Sequence, residues 1–169
     1  MTYQTNFTGS DFAAYYQIRA KILGAGLEKT RILLAAIGSV EIVMAIITLV
    51  ALHITGLAGM LFAIGVLFFC GGVYYYPVLG KRSAKAIPAD MRDLTYTFDE
   101  EGLTQAQSRG SAKVEYDRIF ACAESKTVFA FFYDETHGFF LPKRSVEDVD
   151  ALRDFLEEKL GFPLQQYTF

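Results

Sequence analysis

Two apolar stretches that follow each other almost directly decide the fold of this chain. Residues 32–52 read ILLAAIGSVEIVMAIITLVAL, and residues 54–79 read ITGLAGMLFAIGVLFFCGGVYYYPVL. At about 1.5 Å per residue, either stretch forms a helix long enough to cross the roughly 30 Å hydrocarbon core of a bilayer. Because Glu41 is the only charged side chain in either stretch, the sequence predicts a transmembrane hairpin over 32–79, with helices at about 32–52 and 56–79.

The basic residues beside the hairpin predict its orientation. Lys29 and Arg31 precede the first helix, three more cations follow the second, and the turn between the helices contains no Lys or Arg. Positive residues near the ends of a crossing are retained on the cytoplasmic side. We therefore expect a multi-pass protein of the cell membrane, plasma or inner, with both termini in the cytoplasm.

Overall charge limits the partners. The chain has 19 acidic and 16 basic residues, whereas nucleic-acid binders usually present a basic surface that neutralises phosphates. We therefore expect the lipid bilayer as a partner and do not expect nucleic acid. The two cysteines, Cys70 and Cys122, form no CxxC motif, which favours reduced thiols in a cytoplasmic setting.

The segments on either side of the hairpin have different patterns. Residues 1–31 predict a short strand over 3–7 and then an amphipathic helix, in which Thr8 and Asp11 have capping-box spacing. Residues 88–169 alternate in polarity, which predicts a small antiparallel β domain. Its strands are predicted over 94–98, 103–107, 113–123, 127–133 and 138–141.

The C-terminal part of the chain predicts one helix that covers this β domain. Leu152, Phe155, Leu156 and Leu160 form an apolar stripe, and Ser145 has capping-box spacing to Asp148. We expect this helix over 146–160. The fold class is therefore an α+β membrane protein, with a cytoplasmic antiparallel β domain capped by a C-terminal helix.

Three short motifs suggest a family. They are Tyr116 to Ile119, with an aromatic residue followed by an aliphatic one, FFY at 131–133, and FFLPKR at 139–144. In these motifs and in its layout the chain resembles the YcxB-like membrane proteins. The resemblance implies a two-helix hairpin followed by a small PH-like domain, and it supplies neither a mechanism nor a cofactor.

Glu41 is the first candidate for a functional residue, because a carboxylate near the bilayer centre is costly and is a functional hypothesis by default. Gly38, Glu41, Ala45 and Thr48 share one helix face, and this small and polar stripe is typical of close helix association. The partner would be a second copy or another membrane protein. Two alternatives stay open: a neutral carboxyl bonded locally, and a proton or ion pathway.

Two basic clusters are the remaining candidates. Lys81, Arg82 and Lys85 follow the hairpin, and Lys143 and Arg144 follow Pro142 at a strand end. Both clusters have the chemistry to contact anionic headgroups or an acidic partner. The alternatives are a purely topological role for the first cluster and a solvated sheet edge for the second.

No set of residues predicts a reaction. The chain has no HExxH, GxSxG or Walker motif, and His137 has no second His or Cys placed to complete a metal site. We therefore predict no catalytic residues, metal or cofactor. The leading hypothesis is a non-enzymatic, membrane-anchored interaction module that binds a protein or lipid headgroup at the cytoplasmic leaflet. The alternative is a small subunit of a transport or ion-handling assembly that uses Glu41.

Overall fold

The computed structural model describes residues 1–24, 26–88, 91, 93–135 and 137–169, and it is an α+β structure. The helices are α1 (Gly9–Ile22), α2 (Gly26–Leu52), α3 (Thr55–Val73), α4 (Tyr75–Ala86) and α5 (Val149–Leu160). The strands are β1 (Thr2–Asn6), β2 (Asp93–Phe98), β3 (Gly102–Gln107), β4 (Gly110–Glu115), β5 (Ala121–Glu124), β6 (Val128–Phe132), β7 (Gly138–Pro142) and β8 (Gln165–Gln166).

The first sheet joins residues from both sides of the two long helices. Its strands lie in the order β1-β2-β3-β4 and pair antiparallel. In the β1–β2 ladder, Thr2 lies opposite Thr97 and Asn6 lies opposite Asp93. The strand expected over 3–7 is therefore β1, and α2 and α3 are inserted between two neighbouring strands of one sheet.

The second sheet has β6 in its interior, in the order β7-β6-β5-β8. All five residues of β6 are buried. Phe129 and Phe131 face the core between the two sheets, whereas Ala130 and Phe132 pack under α1. β6 lies within the strand predicted over 127–133, and it is covered on both sides. β8 is a two-residue strand that pairs parallel with β5.

The single strand predicted over 113–123 is wrong, because the chain crosses from the first sheet to the second within it. β4 ends at Glu115, and a 3-10 turn over Tyr116–Arg118 leads to β5. The hydroxyl of the buried Tyr116 donates to the carbonyl oxygen of Asp99 at 3.0 Å. This bond fixes the crossing point.

Helix α5 closes the core between the sheets, where Leu152 and Leu156 are fully buried. The helix begins later than predicted, because its N-cap is Asp148, whose carboxylate accepts from the N–H of Ala151 at 2.9 Å. The hydroxyl of Ser145 donates instead to Thr5 of β1 at 2.6 Å. The local pattern predicted Ser145 as the cap of this helix, but its side chain bonds to a distant strand instead.

Helices α2 and α3 form a helical hairpin. His53, in the turn between them, has a positive φ of 55°. Both helices are long and apolar enough to cross a membrane by length and composition, with mean hydropathy 2.5 and 2.1. The predicted end of the second helix at residue 79 is wrong. Pro77 has no N–H to donate to the carbonyl of Val73, and its ring crowds that carbonyl, so α3 ends there and α4 begins after Tyr74.

Helix α4 packs closely on α1, and α1 covers the outer face of the second sheet. A Cβ on Gly80 would lie only 2.7 Å from the backbone nitrogen of Ala13, so glycine lets the two backbones approach. The hydroxyls of Tyr16 and Ser83 share a hydrogen bond of 2.9 Å between the helices. The layers are therefore the first sheet, the second sheet, α1 and α4.

Candidate functional site

The stripe of Gly38, Glu41, Ala45 and Thr48 lies on the face of α2 that packs against α3. The helices approach closely at Gly38, where a Cβ would lie 2.6 Å from the carbonyl oxygen of Gly65. Ala45 and Thr48 are each 4% exposed. The close contact is therefore made inside the hairpin, and association with another chain through this stripe stays a prediction.

Glu41 lies beside a glycine of α3. A Cβ on Gly65 would lie 3.0 Å from the Cβ of Glu41 and 2.9 Å from the backbone nitrogen of Ile42. The glycine leaves space at this level and offers no side-chain donor. Within the part of the chain that the structure describes, no hydrogen bond or ion pair reaches the Glu41 carboxylate.

A polar network at the base of the hairpin was missed from the sequence. The Glu28 carboxylate accepts hydrogen bonds of 2.6 Å from the hydroxyl of Tyr76 and of 2.6 Å from Nη2 of Arg31. Lys21 of α1 lies 3.9 Å from the same carboxylate. Tyr76 is 2% exposed, and burial, reinforced by the Glu28 carboxylate, raises its pKa. The network holds α1, α2 and α4 together at one point.

The only sequence signal for this network was the run of tyrosines before Pro77. From the sequence, Tyr74, Tyr75 and Tyr76 all suit a membrane–water interface, where amphipathic rings are favoured. The structure separates them, because Tyr74 is 59% exposed whereas Tyr76 turns inward to Glu28. A buried tyrosine needs a partner for its hydroxyl, but the sequence does not show which of the three is buried.

Lys81, Arg82 and Lys85 lie together on the outer side of α4. All three are exposed, whereas Tyr76 and Gly80 on the other side of this helix are buried. Among the described residues, none of the three cations has an ion-pair partner. The structure therefore brings the first basic cluster to one accessible surface.

Lys143 contacts other side chains of the β domain. Its ammonium lies 2.5 Å from the Glu124 carboxylate and 4.7 Å from the ring centroid of Phe129. Arg153 of α5 binds the other oxygen of Glu124 at 2.7 Å through Nε. Glu124 is 3% exposed, so this cluster is a buried ion-pair site at the edge of the second sheet, with Lys143 already neutralised.

Arg144 also contacts other residues of the protein. Its guanidinium lies 2.5 Å from the buried Asp11 carboxylate and also donates to the carbonyl oxygen of Asn6. Asp11 in turn accepts from the N–H of Thr8 at 2.7 Å, which completes the predicted capping box of α1. Arg144 therefore ties the end of β7 to the start of α1. These contacts argue against a headgroup or acidic-partner role for Lys143 and Arg144.

The described residues contain no group of three or more His, Cys, Asp or Glu side chains placed to hold a metal ion. Cys122 is buried between the sheets, and burial raises its thiol pKa above the ordinary value. Such a thiol is a poor nucleophile at neutral pH.

Together these features define an α+β protein in which two long apolar helices are inserted into a β domain, with a basic surface beside them. The family model described as YcxB-like protein matches residues 98–156. This match confirms the resemblance over the part of the chain that runs from the end of β2 to Leu156 of α5. No curated protein and no solved structure matched the chain.

Proposed function

We propose that the chain is a non-enzymatic, membrane-anchored interaction module. In this proposal α2 and α3 cross the cell membrane, both termini are cytoplasmic, and the β domain, which is PH-like, binds a protein or a lipid headgroup at the cytoplasmic leaflet. The two sheets closed by a C-terminal helix are consistent with a PH-like architecture. The resemblance to the YcxB-like proteins, whose family model matches 98–156, implies the same architecture.

One observation supports the membrane assignment: α2 and α3 pack mainly on each other, and most of their remaining apolar surface is uncovered. In both helices only 17% of the most apolar window is buried, and side chains such as Val50 and Leu67 are 67% and 74% exposed. A soluble protein rarely exposes so large a contiguous apolar surface, because contact with water is unfavourable there. A bilayer covers it.

The orientation rests on the cations at the base of the hairpin. Lys29, Lys81, Arg82 and Lys85 are exposed there, and the turn at His53 and Ile54 at the other end has no Lys or Arg. Because positive residues are retained on the cytoplasmic side, these cations support a cytoplasmic position for this base and for the domain attached to it.

Cysteine labelling in intact cells tests this arrangement. In a background without Cys70 and Cys122, Thr55→Cys should react with a membrane-impermeant maleimide, whereas Lys126→Cys on the domain should react only after permeabilisation. The chain should also stay in the pellet after alkaline carbonate extraction. Extraction into the supernatant would refute the anchor, and labelling of Lys126→Cys alone would reverse the orientation.

A second candidate function is a small subunit of a transport or ion-handling assembly. The observation that favours it is the Glu41 carboxylate, which lies in an apolar hairpin without a polar partner among the described residues. Intramembrane carboxylates of this kind carry protons or ions in many transporters. If this candidate is right, Glu41→Gln should abolish transport by the assembly and leave its composition unchanged.

A further inference from the structure

The outer face of α4 combines cations with an apolar side chain. Val78, Lys81, Arg82 and Lys85 occur at helical spacing i, i+3, i+4 and i+7, and all four are exposed. The inner face of the helix packs on α1 through Gly80. The stem of Lys81 passes close to Gly9 at the start of α1, and no described element covers Val78, Arg82 or Lys85. Basic side chains interspersed with apolar ones are typical of helices that lie in the headgroup layer of a membrane.

The position of α4 brings this face to the base of the hairpin. Only Tyr74 separates α4 from α3, and Tyr76 is tied to Glu28 at the start of α2. The chain also breaks between α1 and α2, where Gly24 has φ +59. Helix α4 therefore starts directly at the end of the hairpin, and it is the outermost layer of the domain at this end.

Charge is divided unequally along the chain. Residues 1–88 contain seven basic and three acidic side chains, whereas residues 89–169 contain nine basic and sixteen acidic side chains. Most of the domain is therefore repelled by an anionic surface. The three exposed cations of α4 lie on one helix and form a cluster that such a surface attracts.

We propose that the outer face of α4 binds the anionic phospholipid headgroups of the leaflet from which the hairpin emerges. The proposal rests on the membrane anchoring proposed above and names the ligand of the module. Lys81, Arg82 and Lys85 pair with lipid phosphates, and Val78 inserts between headgroups. Because α4 packs on α1, and α1 covers the second sheet, this contact also sets the distance between the domain and the leaflet.

Each cation near an anionic leaflet favours the docked state by roughly fivefold, and three together by about a hundredfold. Phosphatidylcholine vesicles lack this attraction because their headgroups have no net charge. Docking should also weaken at high salt, since the Debye length falls to about 3 Å at 1 M ionic strength.

The absence of tryptophan from the chain gives a background-free test. The full chain with Val78→Trp is reconstituted into vesicles of phosphatidylcholine, with or without phosphatidylglycerol, and its fluorescence is quenched by shallow spin-labelled lipid or by aqueous acrylamide. With phosphatidylglycerol present, lipid should quench the indole and acrylamide should not. Ala86→Trp, at the far end of the same exposed face, provides a second probe if Val78→Trp disturbs folding.

Charge variants in the same vesicles identify the contact. Lys81→Gln, Arg82→Gln and Lys85→Gln combined should shift the indole toward acrylamide quenching in the anionic vesicles. The matched control neutralises Arg118 and Lys126, two exposed cations elsewhere on the domain, and should leave the quenching unchanged.

Two results would overturn the inference in distinguishable ways. If the chain resists carbonate extraction from the vesicles while acrylamide quenches the indole equally in both lipid mixtures, α4 does not bind headgroups. That result would point to an acidic protein partner for the same face. If carbonate releases the chain from the vesicles, the anchor itself fails, and this inference fails with it.

Discussion

Replacement of Glu124 by glutamine should destabilise the β domain, because this carboxylate neutralises two cations inside it. Oε2 of Glu124 lies 2.5 Å from the ammonium of Lys143, and Oε1 lies 2.7 Å from Nε of Arg153. The Lys143 and Arg153 side chains are 15% and 24% exposed. Glutamine keeps the volume and removes the charge, so both cations lose their counter-ion in a partly buried setting.

Loss of one member of a buried ion pair typically costs about 3 to 5 kcal/mol. Because Lys143 and Arg153 keep some contact with water, we expect the lower end, about 3 kcal/mol, which lowers the melting temperature of a chain of this size by about 10 °C. Burial alone would raise the pKa of Glu124, but hydrogen bonds from Arg153 and Lys143 outweigh burial and hold the pKa below the ordinary value.

The direction of this pKa shift predicts a pH dependence. A carboxyl whose pKa is lowered by folding stabilises the protein above its unfolded pKa and loses that contribution as the pH falls through its folded pKa. The difference in melting temperature between wild type and Glu124→Gln should therefore be constant near neutral pH. It should shrink below the ordinary glutamate pKa of 4.5.

Thermal unfolding of the full chain in detergent, followed by circular dichroism, measures this difference. Asp154→Asn is the matched control, because Asp154 is exposed on α5, and it should change the melting temperature by a degree or so at most. A loss below about 1 kcal/mol for Glu124→Gln would show that the ion pair behaves like a surface pair and would refute the reasoning.

Three further results are expected. Gly80→Ala should lower the free energy of unfolding by about 1 to 3 kcal/mol, because the new Cβ would meet the Ala13 backbone. The control Gly71→Ala has open space around it and should be neutral. Equal effects of the two variants would contradict the close packing of α1 and α4. A fragment of residues 88–169 should be unfolded by circular dichroism because it lacks β1 and α1, and an ordered fragment would show that the domain folds without them. Glu41→Leu should weaken hairpin association by a few-fold while Glu41→Gln preserves it; an unchanged oligomer distribution in a dilution series would leave Glu41 without a role in association.

Local periodicity was sufficient to predict the main elements. The hairpin follows from two long apolar runs that contain one charged side chain, Glu41. β6 follows from apolar residues on both alternating faces. The errors occur where one residue overrides a pattern. Apolarity continues past Pro77, yet the missing N–H ends α3, and Ser145 has a capping pattern, yet its hydroxyl bonds to Thr5.

Candidate site residues were harder to predict, because their partners are distant in the sequence. Arg144 and Asp11 are 133 positions apart, and Tyr76 and Glu28 are 48 positions apart. A free lysine or arginine and a paired one have the same local sequence, so Lys143 and Arg144 resembled the cluster on α4. Only the fold shows that Lys143 and Arg144 are paired with Glu124 and Asp11, and that the three cations on α4 are exposed without an ion-pair partner among the described residues.

The insertion of the hairpin between β1 and β2 has a mechanical consequence. A domain on a single flexible linker swivels freely above a membrane, whereas in the proposed arrangement this domain is joined to the hairpin twice, through α1 and through α4. In a bilayer whose thickness changes, apolar helices respond by tilting. With two connections and the Glu28–Tyr76 bond between them, such a tilt exerts a torque on α1 and α4 and turns the second sheet with them. The orientation of the domain would then follow the thickness of the surrounding bilayer.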